Sequence, residues 1–278
     1  MRIDLTTFPD HGIISYLGGR RLQGAEQAKM MPAFTFFAVD KGNMTLIQFS
    51  NGINMMVDCR RSAERPSPLE YLRAKIGKLD IVVITHPHQD HLTGLQEVCD
   101  FFKPKHFWHC GRYFKPDPIF DDWSFYERAR KGELSYCTPM GVHAGQIVKI
   151  GDSQITVLAP KLPFIEGTVD DVNNNGIVFS VVTGKSKIII TGDTQEEQWE
   201  ALDPKLLEAV SILLASHHGR ESGFSEKALG TMRPQRIIIS DGLPCETDAT
   251  AKYELIAPVS TTRKNSVVVA AAQTAVAG

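Results

Sequence analysis

Six residues, "HPHQDH" from His86 to His91, hold three histidines and an aspartate directly after the apolar run "DIVVIT". Imidazole and carboxylate at this spacing, on a turn between a strand and a helix, can aim several donors at one point. With no thiolate among them, they make a nitrogen and oxygen site suited to zinc, manganese or iron. The four donors His86, His88, Asp90 and His91 exceed what one ion takes from so short a turn while keeping a position open for water, so two divalent ions sharing the turn are expected. A histidine-rich turn without metal would have to bury unpaired imidazoles, which is costly.

Two later stretches carry matching chemistry. "KIIITGD" ends on Asp193, expected as a carboxylate shared by the two ions; the alternative, a helix N-cap, is a role Thr194 can fill. "SILLASHHGR" supplies His217 and His218, one a ligand and the other free to meet the substrate. We assign His217 to the metal and His218 to catalysis, although both faces of that strand look buried and alternation does not separate them. Asp58, at the end of "INMMVD", is placed to orient His86 or His88, or to cap the loop that follows.

These residues share a frame. An apolar strand ending in Asp, a helix, and an apolar strand ending in His occur twice, from Asp58 to His86 and from Asp193 to His217, at separations of 28 and 24 residues. Two such halves gather four strand ends at one edge of a two-sheet core, where ligand sites of open α/β sheets form. Further short apolar runs, such as "FTFFAV", "MTLIQF", "ITVLAP", "GIVFSVV", "RIIISD" and "NSVVVAA", read as strands, several of them buried on both faces. Helical spacing marks "SPLEYLRAKIG", "LTGLQEVCDFF", "DWSFYERARKG", "EEQWEALDPKLLEAV" and "SEKALGTM". Sheets covered by helices follow, in one domain over residues 1–278, with the small-residue tail "AAAQTAVAG" beyond the last strand.

A formal net charge of −2 over 278 residues, with basic residues no more than paired, gives no field that would advertise nucleic acid or an anionic membrane. Five widely spaced cysteines without a C-x-x-C pair indicate neither a disulfide framework nor a thiolate zinc site, and a reducing cytoplasm is the expected home. No window approaches a membrane helix, and "MRIDLTTFPDHG" lacks the apolar stretch of a signal peptide.

"HPHQDH", with Asp58 before it and "TGD" and "HHG" after it, resembles the signature of the metallo-β-lactamase superfamily. That resemblance implies a four-layered αβ/βα sandwich and hydrolysis at a two-metal centre, with a hydroxide between the ions, Asp193 bridging them and Asp90 orienting the nucleophile. Within the superfamily, "NNNGIVFSVVTGKSKIIITGD" followed by "SILLASHHGR" looks most like the metallohydrolase domain of DNA-uptake competence channel proteins, which implies a phosphodiester substrate in a nucleic acid, nucleotide or lipid headgroup. Gly176 and Arg220 stand where that subgroup usually has serine, so a substrate contact at Arg220 is expected to differ. Many superfamily members place a third histidine before the bridging aspartate. Here His143 sits in a turn-like stretch and is expected to be no ligand, leaving Asp171 or an amide such as that of Asn174, in "DDVNNNG", to take its place. An esterase or lactonase, and a metal-binding module without catalysis, are the competing readings.

Overall fold

The structure is a computed structural model that describes residues 2–4, 31–114, 120–168, 170–243 and 245–271. The end of the small-residue tail, from residue 272, lies outside the described residues. Among the described residues, fifteen strands make two sheets. In the eight-stranded sheet, β1 (Arg2–Asp4), β8 (Ile147–Ile150), β9 (Ser153–Ala159), β10 (Val178–Thr183), β11 (Ser186–Ile190), β12 (Ile212–Leu214), β13 (Arg236–Ile239) and β14 (Val259–Thr261) lie in that order. The seven-stranded sheet runs β15 (Val267–Ala270), β2 (Ala33–Phe36), β3 (Thr45–Gln48), β4 (Asn54–Val57), β5 (Ile81–Val83), β6 (His106–His109) and β7 (Thr138–Gly141).

Side chains facing each other across the two sheets form the central core. Phe34, Met55, Ile81, Val83 and Trp108 pack against Ile155, Phe179, Ile188, Ile190 and Leu214, all nearly inaccessible to solvent. Their neighbours on the same strands point outward into two flanking cores. Met56, Val82 and Phe107 meet α1 (Pro68–Arg73), α3 (Leu95–Phe102) and α4 (Asp121–Arg130), with the short α2 (Gln89–Leu92) beside them. Ile189, Leu213 and Ile237 meet α5 (Glu196–Ala201), α6 (Pro204–Leu207), α7 (Glu226–Met232) and α8 (Thr250–Glu254). The layers are therefore helices, sheet, sheet, helices, and burial of both strand faces explains the unbroken apolar runs.

Several expectations needed adjustment. "EEQWEALDPKLLEAV" is two helices, because Pro204 lacks the N–H a continuous helix needs and Asp203 instead caps α6 through the backbone N–H of Lys205. The strands β1, β6, β7 and β14 were not expected: "HFWH" reads as polar at both ends, and "TPMG" carries proline and glycine tolerated only because β7 closes an edge.

The arrangement that matters for chemistry is parallel pairing. β4, β5 and β6 run parallel, as do β11, β12 and β13, so the segments leaving each set emerge together. A backbone hydrogen bond from Ile177 N–H to Thr85 O ties the two sheets where β5 ends and β10 begins. Gly192, at φ 54°, lets the chain after β11 close on the same place. A Cβ there would lie 3.0 Å from Thr85 Cβ, so a side chain would meet both backbone strain and the facing sheet.

Candidate metal centre

Asp58, His86, Asp193 and the pair His217 and His218 all follow strand ends, and the turn-like α2 brings Asp90 and His91 beside them. The donors form two groups, each with its ligand atoms within 4.8 Å of one another: His86, His88 and Asp193, and Asp90, His91 and His218. Asp193 faces both. Its Oδ2 lies 3.7 Å from His86 Nε2 and 3.5 Å from His218 Nε2, and its Oδ1 is 3.1 Å from His91 Nε2. Asp90 Oδ2 is 3.5 Å from His218 Nε2.

Four of these atoms, His86 Nε2, His91 Nε2, His218 Nε2 and Asp193 Oδ1, are buried and form no hydrogen bond. Buried polar atoms are normally paired. Four exceptions on nitrogen and oxygen donors, the three imidazole nitrogens each 3.1–3.7 Å from one or other Asp193 oxygen, fit cations between them.

The electrostatics point the same way. Burial alone would raise the carboxyl groups of Asp193 and Asp90, but the imidazoles of His91 and His218 override it and hold both well below the usual range. Burial opposes charge on His91 and His218 too, and here the carboxylates win: Asp193 and Asp58 push His91 well up, while Asp193 and Asp90 bring His218 to about 9. His86 is driven down by burial and then by His91. Without metal, the chain keeps protons on His91 and His218, where cations would bind.

A pH dependence follows for the metal-free protein. His218 has a folded-state pKa raised above the ordinary 6.5, so its stabilising contribution is complete below about pH 6.5 and is lost as pH rises through about 9. Urea unfolding of chelator-treated protein at pH 6.5 and 9.5 should show lower stability at the higher pH, with the difference shrinking in the His218→Gln variant.

The supporting contacts depart from expectation at several positions. Asp58 orients neither His86 nor His88. Its Oδ2 lies 2.8 Å from His91 Nδ1, and its Oδ1 accepts from Thr85 N–H at 2.8 Å, an arrangement enforced by the left-handed turn of Asp58 itself (φ 57°). His218, assigned above to catalysis, joins Asp90 and His91, and its Nδ1 hydrogen bonds to Ser240 O at 3.1 Å. His217, assigned to the metal, lies outside both groups. The two residues are left-handed in succession, at φ 49° and 57°, which breaks the strand alternation and sends the second ring inward. His217 Nε2 still reaches to 3.7 Å from Asp193 Oδ2, and its Nδ1 lies 2.7 Å from Ser222 Oγ. Burial lowers its pKa.

Asp171 and Asn174 are not donors in either group. The Asp171 carboxylate closes a local turn, accepting from Thr168 N–H and Oγ1 and from Gly167 N–H. Asn174 is held from both ends, donating to Glu197 Oε2 and Thr168 Oγ1 and accepting from Gln198 N–H. Arg220 pairs through its backbone with Asp248, and its charge falls on His217. His143 also stands apart, with its ring Nδ1 3.2 Å from the Ala144 carbonyl. His143→Ala should leave metal content near normal by elemental analysis; loss of an ion would restore a three-histidine model.

The Ser222 contact was missed altogether. An isolated "RESG" after "HHG" carries no periodicity or motif that would have marked it.

A four-layered sandwich with paired His and Asp donors where its central strands end defines the class of metal-dependent hydrolases. The chain belongs to the metallo-β-lactamase superfamily, whose family model matches residues 38–229. Among solved structures, the metallo-β-lactamase fold protein YhfI from Bacillus subtilis superposes with a TM-score of 0.58 over 87% of this chain and 100% of that one, at 13% identity, a likeness of fold. The anti-Pycsar protein Apyc1 of Bacillus phage 010DV004 is 36% identical over 97 residues, 34% of this chain and 35% of the phage protein. Recombination protein 2 of Haemophilus influenzae is 33% identical over 70 residues, 25% of this chain and 9% of that protein. The matched stretches thus span about a third or less of these curated relatives. No helix among the described residues is long and apolar enough to cross a membrane.

Proposed function

We propose that the chain is a two-metal phosphodiesterase, with zinc or manganese as the cations and a nucleic acid or nucleotide diester as the substrate. The observation that carries this reading is the pair of donor groups facing one buried carboxylate, with four atoms unpaired between them. His86, His88 and Asp193 would hold one ion, and Asp90, His91 and His218 the other, with Asp193 shared. Two such cations, when bound, supply a nucleophile from water at neutral pH and neutralise charge on the attacked centre.

The residues supply the rest. Asp90, kept ionised, accepts a hydrogen bond from the attacking water and so orients it. His217 Nε2, beside Asp193 but outside both groups, donates to the oxygen that leaves. Two divalent ions balance the carboxylates of Asp58, Asp90 and Asp193 and the hydroxide nucleophile, so the centre does not repel an anionic diester, and Arg220, whose charge reaches His217, favours one over a neutral ester or lactam. The likeness of "NNNGIVFSVVTGKSKIIITGD" to the competence metallohydrolase domain supports the same substrate class.

The test is turnover by zinc- or manganese-loaded protein of bis(4-nitrophenyl) phosphate and a dinucleotide, set against 4-nitrophenyl acetate and a chromogenic cephalosporin. Cleavage of the diesters is expected. An intact diester beside a cleaved ester would overturn the reading, and inertness toward all four with both ions bound would favour a binding module.

A further inference from the structure

We propose that Ser222 is a positioning residue for His217, whose hydroxyl donates to Nδ1 and thereby holds the proton on Nε2, aimed at the leaving oxygen of a diester with an alkoxide leaving group. The proposal rests on the phosphodiesterase reading for its substrate, but its geometry stands separately.

Ser222 Oγ is 2.7 Å from His217 Nδ1, and Nε2 on the far side of the ring is 3.7 Å from Asp193 Oδ2. With Asp193 shared between two ions its charge is spent on them, so the tautomer is set from the other side of the ring, where a hydroxyl donating to Nδ1 selects Nε2–H. With the proton on Nε2, Nδ1 is left as an acceptor, and the only matching assignment for Ser222 is donor. The turn carrying Ser222 is anchored independently of this contact: Gly223 N–H donates to Arg220 O, Phe224 N–H to Glu221 O, and Trp199 Nε1–H to Gly223 O at 3.0 Å. Gly223 also lets the turn close on the histidine, since a Cβ there would lie 2.9 Å from His217 Cβ and 2.5 Å from Ser216 O. Ser222 is itself exposed, so its hydroxyl satisfies no buried group and contributes little to the fold.

In the reaction no proton need leave the ring. As the phosphorus–oxygen bond breaks, its electron pair stays on the leaving oxygen, the neutral Nε2–H stabilises that charge by hydrogen bonding, and solvent then protonates the alkoxide. An alkoxide, a poor leaving group, needs this donor; 4-nitrophenoxide does not.

The opposite assignment makes a distinct forecast. Were His217 a ligand through Nε2, that nitrogen would carry no proton, and Nδ1–H would donate to Ser222. Long-range 1H–15N correlation spectra of the zinc-loaded chain distinguish the two tautomers whether or not any diester is cleaved. An Nε2–H ring in the wild type, and loss of that preference in Ser222→Ala, are expected. In the same variant, two ions should remain bound, and kcat should fall roughly tenfold or more for a dinucleotide but by less than about threefold for bis(4-nitrophenyl) phosphate, with Ser222→Thr restoring the dinucleotide rate. An Nδ1–H ring, an ion lost in Ser222→Ala, or equal losses on both diesters would overturn the proposal. A wild type inert to every diester but showing the Nε2–H ring would sink the substrate class and leave the positioning contact standing.

Discussion

Replacing Asp193 with alanine should reduce bound metal from two ions to at most one and lower diester turnover by about a thousandfold, with the fold intact. The magnitude follows from the several kcal/mol that one catalytic cation supplies, at 1.36 kcal/mol per tenfold in rate. Asp193 is singled out because its two oxygens face His86, His91 and His218 at 3.1–3.7 Å, across both donor groups. Without it, each group loses a negative charge that offsets its cation. The fold should survive because the residue follows β11 in a loop outside the three apolar cores. Elemental analysis and circular dichroism of the variant are the measurements, and two ions retained at full occupancy would remove the shared-carboxylate role.

The second large effect is expected at a residue that touches no ion. Asp58→Asn keeps the shape of the side chain and one carbonyl oxygen to accept from Thr85 N–H, but it places an amide N–H2 or a single crowded oxygen against His91 Nδ1. In the native chain the Asp58 carboxylate accepts the Nδ1 proton and leaves Nε2 free to bind a cation. The amide favours the reverse tautomer, with the proton on Nε2, where the ion should sit. Loss of such an orienting partner costs roughly 10- to 100-fold in metal affinity. The affinity of the Asp90, His91 and His218 group, measured by competition with a fluorescent chelator, should fall by that amount, and the metal-free variant should also unfold at lower urea, because buried His91 loses one of the two carboxylates that stabilise its charge. An unchanged affinity would show that the tautomer is fixed elsewhere.

Both effects concern residues whose importance showed in one dimension, though their partners did not. Asp58 was visible as the carboxylate ending an apolar strand, but its partner was expected to be His86 or His88. Which ring it meets depends on how the α2 turn folds His91 back, and no local periodicity encodes that. Asp171 and Asn174 failed differently. Polar residues in "DDVNNNG" can serve a metal or a turn equally well, and here the turn and the tie to α5 use their hydrogen-bonding capacity.

What the sequence determined by itself is the candidate donor set and its frame: "HPHQDH", Asp193, the histidine pair, and the apolar strands that end on them. These are legible because ligand chemistry demands particular residue types, and because strands buried on both faces leave unbroken apolar runs. Tertiary structure alone decided the partition of those donors. Two consecutive left-handed residues turned His218, and not His217, toward Asp90 and His91, while the return of the chain through Gly223 set Ser222 against the ring left outside. Side-chain direction after the end of a strand is fixed by backbone angles and by packing across the two sheets, and those are properties of the assembled sandwich.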